Sequence, residues 1–195
     1  MRAGSRREPL RAALALGAAA LAALLLLHAA DRAWRPGIER NFREREIAQV
    51  RSVLGAGAGE VRRLDDPALL DALAAAGADP AAWALVAGGS RAAAAVAVTA
   101  PDGYSGPIRL VIGFDSGLTI TAVRALEHSE TPGIGGFVSD AAHPWMAGLA
   151  GSGERGRYDA VAGATVTSDA VTAAVAAVRA AVARMPRDSL LGTSK

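Results

Sequence analysis

IRLVIGFDSGLTITAVRAL, residues 108–126, reads as two strands joined by a turn. Ile108, Leu110, Ile112 and Phe114 alternate with the other face at the period of a pleated strand. Asp115-Ser116-Gly117 supplies turn residues, and Leu118, Ile120, Ala122, Arg124 and Leu126 resume the alternation on one face. Upstream, Ala92–Thr99 is a further strand closed by Pro101-Asp102-Gly103, so a meander of at least three strands is expected. Downstream, Val171, Val175, Val178 and Val182 recur at steps of four, three and four, one face of a helix running from Ser168 to Met185. Thr167 or Ser168 can cap that helix, and Asp169 suits the positive end of its dipole. Strands followed by a helix, without a repeated strand-helix unit, define an α+β class: an antiparallel sheet flanked by helices.

Around this core, 195 residues leave room for one domain and an appendage. The absence of cysteine excludes disulfides, thiolate metal sites and thiol nucleophiles, so redox chemistry would need a bound cofactor. Three histidines and no cysteine form no metal-ligand pattern, and no metal site is expected. The pI of about 9.6 suggests a nucleic-acid partner until the charge is located. Residues 1–11 carry Arg2, Arg6, Arg7 and Arg11 against Glu8, whereas the remainder holds 17 basic and 18 acidic side chains. A nearly neutral remainder offers no basic groove, and no nucleic-acid partner is expected.

The basic tail precedes AALALGAAALAALLLLHAA, residues 12–30, which contains no Asp, Glu, Lys or Arg. As a helix this run reaches about 28 Å, close to the roughly 30 Å hydrocarbon thickness of a bilayer. Leu27 and His28 stand where a cleaved signal would want small residues, which favours an uncleaved anchor. The arginines predict that the tail stays in the cytoplasm and that everything after Asp31 lies across the membrane. Pro36 can open a juxtamembrane helix bearing Ile38, Phe42, Ile47, Val50 and Leu54, stopped by Gly55 and Gly57. Asp65–Pro80 holds a short helix between turns. The expected organisation is a cytoplasmic tail 1–11, a membrane helix 12–30, a juxtamembrane helix and linker 31–60, and a domain 61–195.

Two segments carry chemistry. In DAVAGATVTSDAV, residues 159–171, Ala162, Gly163 and Ala164 bring bare backbone to a helix start, where free amides and the dipole favour a phosphate. Thr165 places a hydroxyl at that point. Alone, this is also how a well-capped helix begins. In EHSETPGIGG, residues 127–136, Pro132-Gly133 enforces a turn, while Gly135 and Gly136 leave backbone that a flat ligand could lie against. Glu130 and Thr131 supply hydrogen-bonding groups, although the same residues also suit an ordinary connecting loop.

APDGYSGPIRLVIGFD, then EHSETPGIG, then D-x-x-A-G-A-T-V-T-S, in this order behind one span, resemble RnfG, the FMN-binding G subunit of the Rnf electron-transport complex. The resemblance runs from about Pro101 to Met185. It implies an electron-transfer flavoprotein within an ion-translocating complex, with FMN joined by a phosphoester to Thr165 and with Gly163, Ala164 and Ser168 beside the phosphate. Glu130, Thr131, Gly133 and Ile134 would border the isoalloxazine. Asp159 would serve the flavin transferase that installs FMN from FAD. Other Rnf proteins would be the partners, the inner membrane the location and the periplasm the side of the flavin domain; no side chain would be catalytic on a substrate. The related C subunit of the sodium-pumping NADH:quinone reductase is the alternative within this chemistry. An anchored scaffold that has lost flavin is the alternative outside it, suggested by Ala162, where the family has Ser or Thr, and by the short stretch between Trp145 and Asp159. Trp145 is expected in the core and His128 at the surface.

Overall fold

The computed structural model describes residues 7–55, 57–151 and 159–192. Its contacts divide the chain into two units, Met1–Glu44 and Arg45–Lys195. The first unit contains most of helix α1 (Arg7–Leu54), whose apolar stretch is long enough to cross a membrane and has no buried residue. Pro36 does not open a new helix there but lies inside α1. It removes one backbone donor from the ladder, while the Asp31–Arg35 ion pair (2.7 Å) braces the turn before it. Arg2 and Arg6 of the basic tail lie outside the described residues, as does most of the stretch between Trp145 and Asp159.

The second unit begins with the last turns of α1, which end at Gly55. It continues through β1 (Glu60–Leu64), α2 (Pro67–Ala75), β2 (Ala82–Ala87), β3 (Ser90–Ala100), β4 (Ile108–Phe114) and β5 (Ile120–Glu127). A 3-10 turn (Gly135–Ser139), α3 (Pro144–Gly148), α4 (Thr165–Arg184) and α5 (Arg187–Leu190) follow. All strand pairs are antiparallel, in the order β1-β2-β3-β4-β5. This is the expected α+β class, with two strands more than the minimal meander. EVRRL in β1 has no apolar alternation, and AWALVA in β2 is buried along most of its length, so neither shows a period of two.

The sheet is the middle layer of the second unit. On one face Val96, Leu110, Ile112 and Phe114 pack with Leu69 and Leu73 of α2 and Val171, Val175 and Val178 of α4. On the other, Val50, Val53 and Leu54 of α1 pack with Trp83, Ala95 and Val111. The contact is close at Gly113, where a Cβ would strike both the Val53 carbonyl and the Thr121 hydroxyl. Thr121 Oγ1 donates a hydrogen bond to that same carbonyl.

The uninterrupted alternation expected from Leu118 to Leu126 is corrected by two bulges. Phe114 pairs with Ile120 and Gly113 with Ala122, leaving Thr121 as an extra residue; Leu126 is extra between Ala125 and Glu127. Each insertion exchanges the faces. Ile120 and Val123 therefore join the α4-side core, while Ala122 and Leu126 pack on the α1 side. Helix α4 also starts earlier than its valine stripe predicts, at Thr165 with Ala164 as N-cap, so neither Thr167 nor Ser168 caps it.

Candidate functional site

Burial of the valine stripe fixes α4 on the sheet and leaves its first turn beside the turn between β3 and β4 and the loop after β5. Ala164 offers no side-chain acceptor, and no side chain among the described residues caps this helix end. The first amides of an α-helix lack partners within it and attract an anion. Gly163, at φ +80°, turns the chain into the helix in a left-handed conformation that glycine adopts without strain. Ser168 closes the segment: its hydroxyl donates to the Ala164 carbonyl and accepts from the Val161 amide, both at 3.0 Å. The Ala164 amide donates to the Val161 carbonyl (2.9 Å). Thr167 is wholly buried and donates to Glu130 Oε2 at 2.6 Å. Of the three hydroxyls in T-V-T-S, that of Thr165 alone belongs to an exposed residue.

Glu130 is 4% exposed. The Ser105 amide donates to Oε1 (2.9 Å) and Thr167 to Oε2, so both oxygens accept, the arrangement that suits a carboxylate. The Glu130 amide donates to His128 Nδ1 (3.2 Å). A Cβ on Gly135 would strike this carboxylate and the Thr167 hydroxyl, so the loop lies tight against the pair. One side chain thus fastens the β3–β4 turn, the loop after β5 and the first turn of α4. Withdrawing a carboxylate from water is costly, and two donors with the positive end of α4 offset that cost.

The rest of the loop faces outward. Thr131, Pro132 and Gly133 are exposed, and Ile134 is half exposed. The Thr131 carbonyl accepts from the amides of Ile134 (3.1 Å) and Gly136 (2.9 Å), which fixes the turn through backbone. Asp159 is exposed, and Trp145 Nε1 donates to its carbonyl at 2.7 Å. Trp145 is half-buried, packs against the main core and meets Phe137 edge-on, with centroids 5.3 Å apart. It ties the start of the Asp159–Thr165 segment to the 3-10 turn.

The structure therefore brings the two chemical segments together. It turns the Glu130 carboxylate inward while leaving Thr131, Gly133 and Ile134 at the surface. Sequence reasoning gave Thr167 only a capping role, not the bond to Glu130, and gave none to Ser105. Thr167 lies four residues before Val171, on the buried stripe, and that spacing was the available signal. Ser105 contributes only its amide, for which no side-chain pattern exists.

Arg109, between Ile108 and Leu110 and on the other face of β4, meets Glu46 (3.2 Å), Asp79 (3.2 Å) and Glu127 (3.3 Å). Burial works against its charge, but the hydrogen bond to Asp79 and the charges of Glu46, Asp79 and Glu127 outweigh it. The guanidinium is held above its ordinary value. A cavity of about 550 Å³ lies elsewhere, between the β4–β5 turn and the far half of α4, lined by Leu118, Ile120, Arg179 and Met185.

The FMN-binding domain family matches residues 103–180, from the β3–β4 turn to most of α4, and the antiparallel meander with its closing helix is consistent with an FMN-binding α+β domain. The chain is 32% identical over 190 residues to the G subunit of the ion-translocating oxidoreductase complex of Pseudomonas aeruginosa (strain UCBPP-PA14), covering 90% of this chain and 89% of that one. It belongs to the family of these G subunits. The corresponding protein of Salmonella typhi is 41% identical over 96 residues, 43% of this chain and 47% of that one. Among solved structures, NqrC of Shewanella oneidensis is similar at 26% identity, over 49% of this chain and 53% of that one, with a TM-score of 0.39.

Proposed function

We propose that this chain is the FMN-carrying electron-transfer component of a membrane-bound ion-translocating complex, with the FMN phosphate esterified to Thr165. The observation that carries this reading is the bond from Thr167 to Glu130, which fastens both motif segments at one uncapped helix end. The donor set suits a phosphodiester: exposed Thr165 offers the hydroxyl, and the amides of the first turn of α4 meet the remaining negative charge. Ser168 and Gly163 hold the approach to the helix in shape, and Ala164 is its N-cap. Thr131, Gly133 and Ile134 offer exposed backbone and one aliphatic side chain to a flat ring. Asp159, six residues before Thr165 and exposed, is the contact for the flavin transferase. Bound FMN would supply the electron-carrying ring, and the protein its placement and electrostatic surroundings.

The full chain, co-expressed with a flavin transferase and run on a denaturing gel, should give a fluorescent band. Thr165→Ala should be dark yet equally stable, within about 0.5 kcal/mol, because the residue is exposed. A dark wild type would instead favour a scaffold without flavin, and a fluorescent Thr165→Ala would place the tether elsewhere.

Helix α1 is read as crossing the inner membrane once, with residues 1–11 in the cytoplasm, the flavin domain in the periplasm and the other proteins of the complex as partners. The arginine cluster before the apolar run supports that orientation. A reporter enzyme active only in the periplasm, fused after Lys195, should be active. Its activity should fall when Arg2, Arg6, Arg7 and Arg11 are replaced by Glu; an inactive fusion to the wild-type chain would reverse the topology.

A further inference from the structure

We propose that Glu130 is an electrostatic tuning residue, a fixed buried negative charge that makes the group on Thr165 harder to reduce. The inference rests on the reading of Thr165 as the flavin tether. It extends that reading from where the flavin is held to how its electron affinity is set.

Three observations carry it. Both Glu130 oxygens accept hydrogen bonds, from the Ser105 amide and the Thr167 hydroxyl, the acceptor-only arrangement of a carboxylate. It is 4% exposed, and no lysine, arginine or histidine side chain pairs with it among the described residues. A charge so enclosed is poorly screened by water and salt. It also lies within one helical turn of the tether along α4, since it is bonded to Thr167, two residues beyond Thr165. The loop that continues from it, Thr131–Ile134, is exposed, while the carboxylate lies inward against Gly135.

Reduction of the flavin by one electron from an external one-electron donor adds one negative charge at this site unless a proton follows. A resident anion raises the free energy of the reduced form relative to the oxidised form and so lowers the midpoint potential. The same carboxylate uses part of the positive end of α4, which would otherwise stabilise the incoming charge. The bonds to Ser105 and Thr167 hold the anion in place, so its field does not relax away as a mobile surface carboxylate would.

The test is a redox titration of the full flavinylated chain in detergent, with dithionite as reductant and mediators, followed by flavin absorbance. Glu130→Gln keeps the shape and removes the charge. It should shift the midpoint to a more positive value, by on the order of tenfold in the reduced-to-oxidised ratio at fixed potential, about 59 mV for a one-electron step. Glu130→Asp, which keeps the charge, should remain near wild type. Glu130→Ser is the second neutral variant where Gln is not tolerated. A flavinylated neutral variant with an unchanged midpoint overturns the proposal while leaving Thr165 as the tether. Failure of both neutral variants to fold, with Asp folding, would assign the charge to stability and also overturn it. Absence of covalent flavin from the wild-type chain would remove the parent reading and this one together.

Discussion

A hydroxyl at position 167 and one at position 165 lie two residues apart in the same helical turn, yet they have opposite surroundings. The rotation of about 100° per residue turns Thr167 into the core and Thr165 toward solvent. The buried one fastens the site, and the exposed one, the proposed tether, stays open to solvent. Thr167→Val should therefore destabilise the protein by about 1–3 kcal/mol, because it leaves a buried carboxylate oxygen without its donor. Thr167→Ser should recover most of that loss. Urea unfolding of the flavin-free chain would measure both, and equal midpoints for Val and wild type would remove the bond from the account of stability. Arg109 illustrates charge at the same scale. With its folded value raised, its favourable contribution is complete at every pH below its ordinary range and declines only in strong alkali, so it does not vary between neutral and mildly alkaline pH.

At the scale of elements, legibility followed periodicity. The β4–β5 hairpin, β3 and the valine face of α4 were readable because alternation and helical spacing recur over many residues. Strand β1 was not, since its burial pattern is largely exposed and it is held by pairing with β2. The bulges at Thr121 and Leu126 were hidden for a different reason: they depend on the carbonyl of Val53 and on register, which lie outside the local pattern. The same division holds for the site. Thr165, Gly163 and the Pro-Gly loop were visible as motif residues, whereas the joining of Glu130 to Thr167 required the fold. The contact between α1 and β4 gives a test at this scale. Gly113→Ala would drive a methyl into the Val53 carbonyl and should cost about 1–3 kcal/mol, read as a lower urea midpoint. Faster hydrogen exchange in the last turn of α1 should accompany it, and slow, unchanged exchange there would mean that the contact adapts without strain.

At the scale of the whole molecule, the second core depends on residues that precede the sheet in sequence. Val50, Val53 and Leu54 cover Trp83, Ala95 and Val111. A chain starting at Arg45 should be soluble and unfold cooperatively, while one starting at Val61 should aggregate or melt earlier because it uncovers that apolar face and deletes an edge residue of β1. Light scattering and thermal melting would separate the two, and equal behaviour would show that α1 contributes nothing to the fold. The strand order β1-β2-β3-β4-β5 has a consequence in time as well. Each strand pairs with the one made just before it, so a chain emerging from its N-terminus can add hairpins one by one without waiting for distant segments. Other contacts join distant segments: Thr121 bonds the carbonyl of Val53, 68 positions earlier, and Glu130 must wait for Thr167, 37 positions later, before its carboxylate is enclosed. Thr165, the proposed tether, therefore acquires its surroundings only once the final long helix has docked, and an enzyme that required those surroundings would act on folded molecules and pass over incomplete ones.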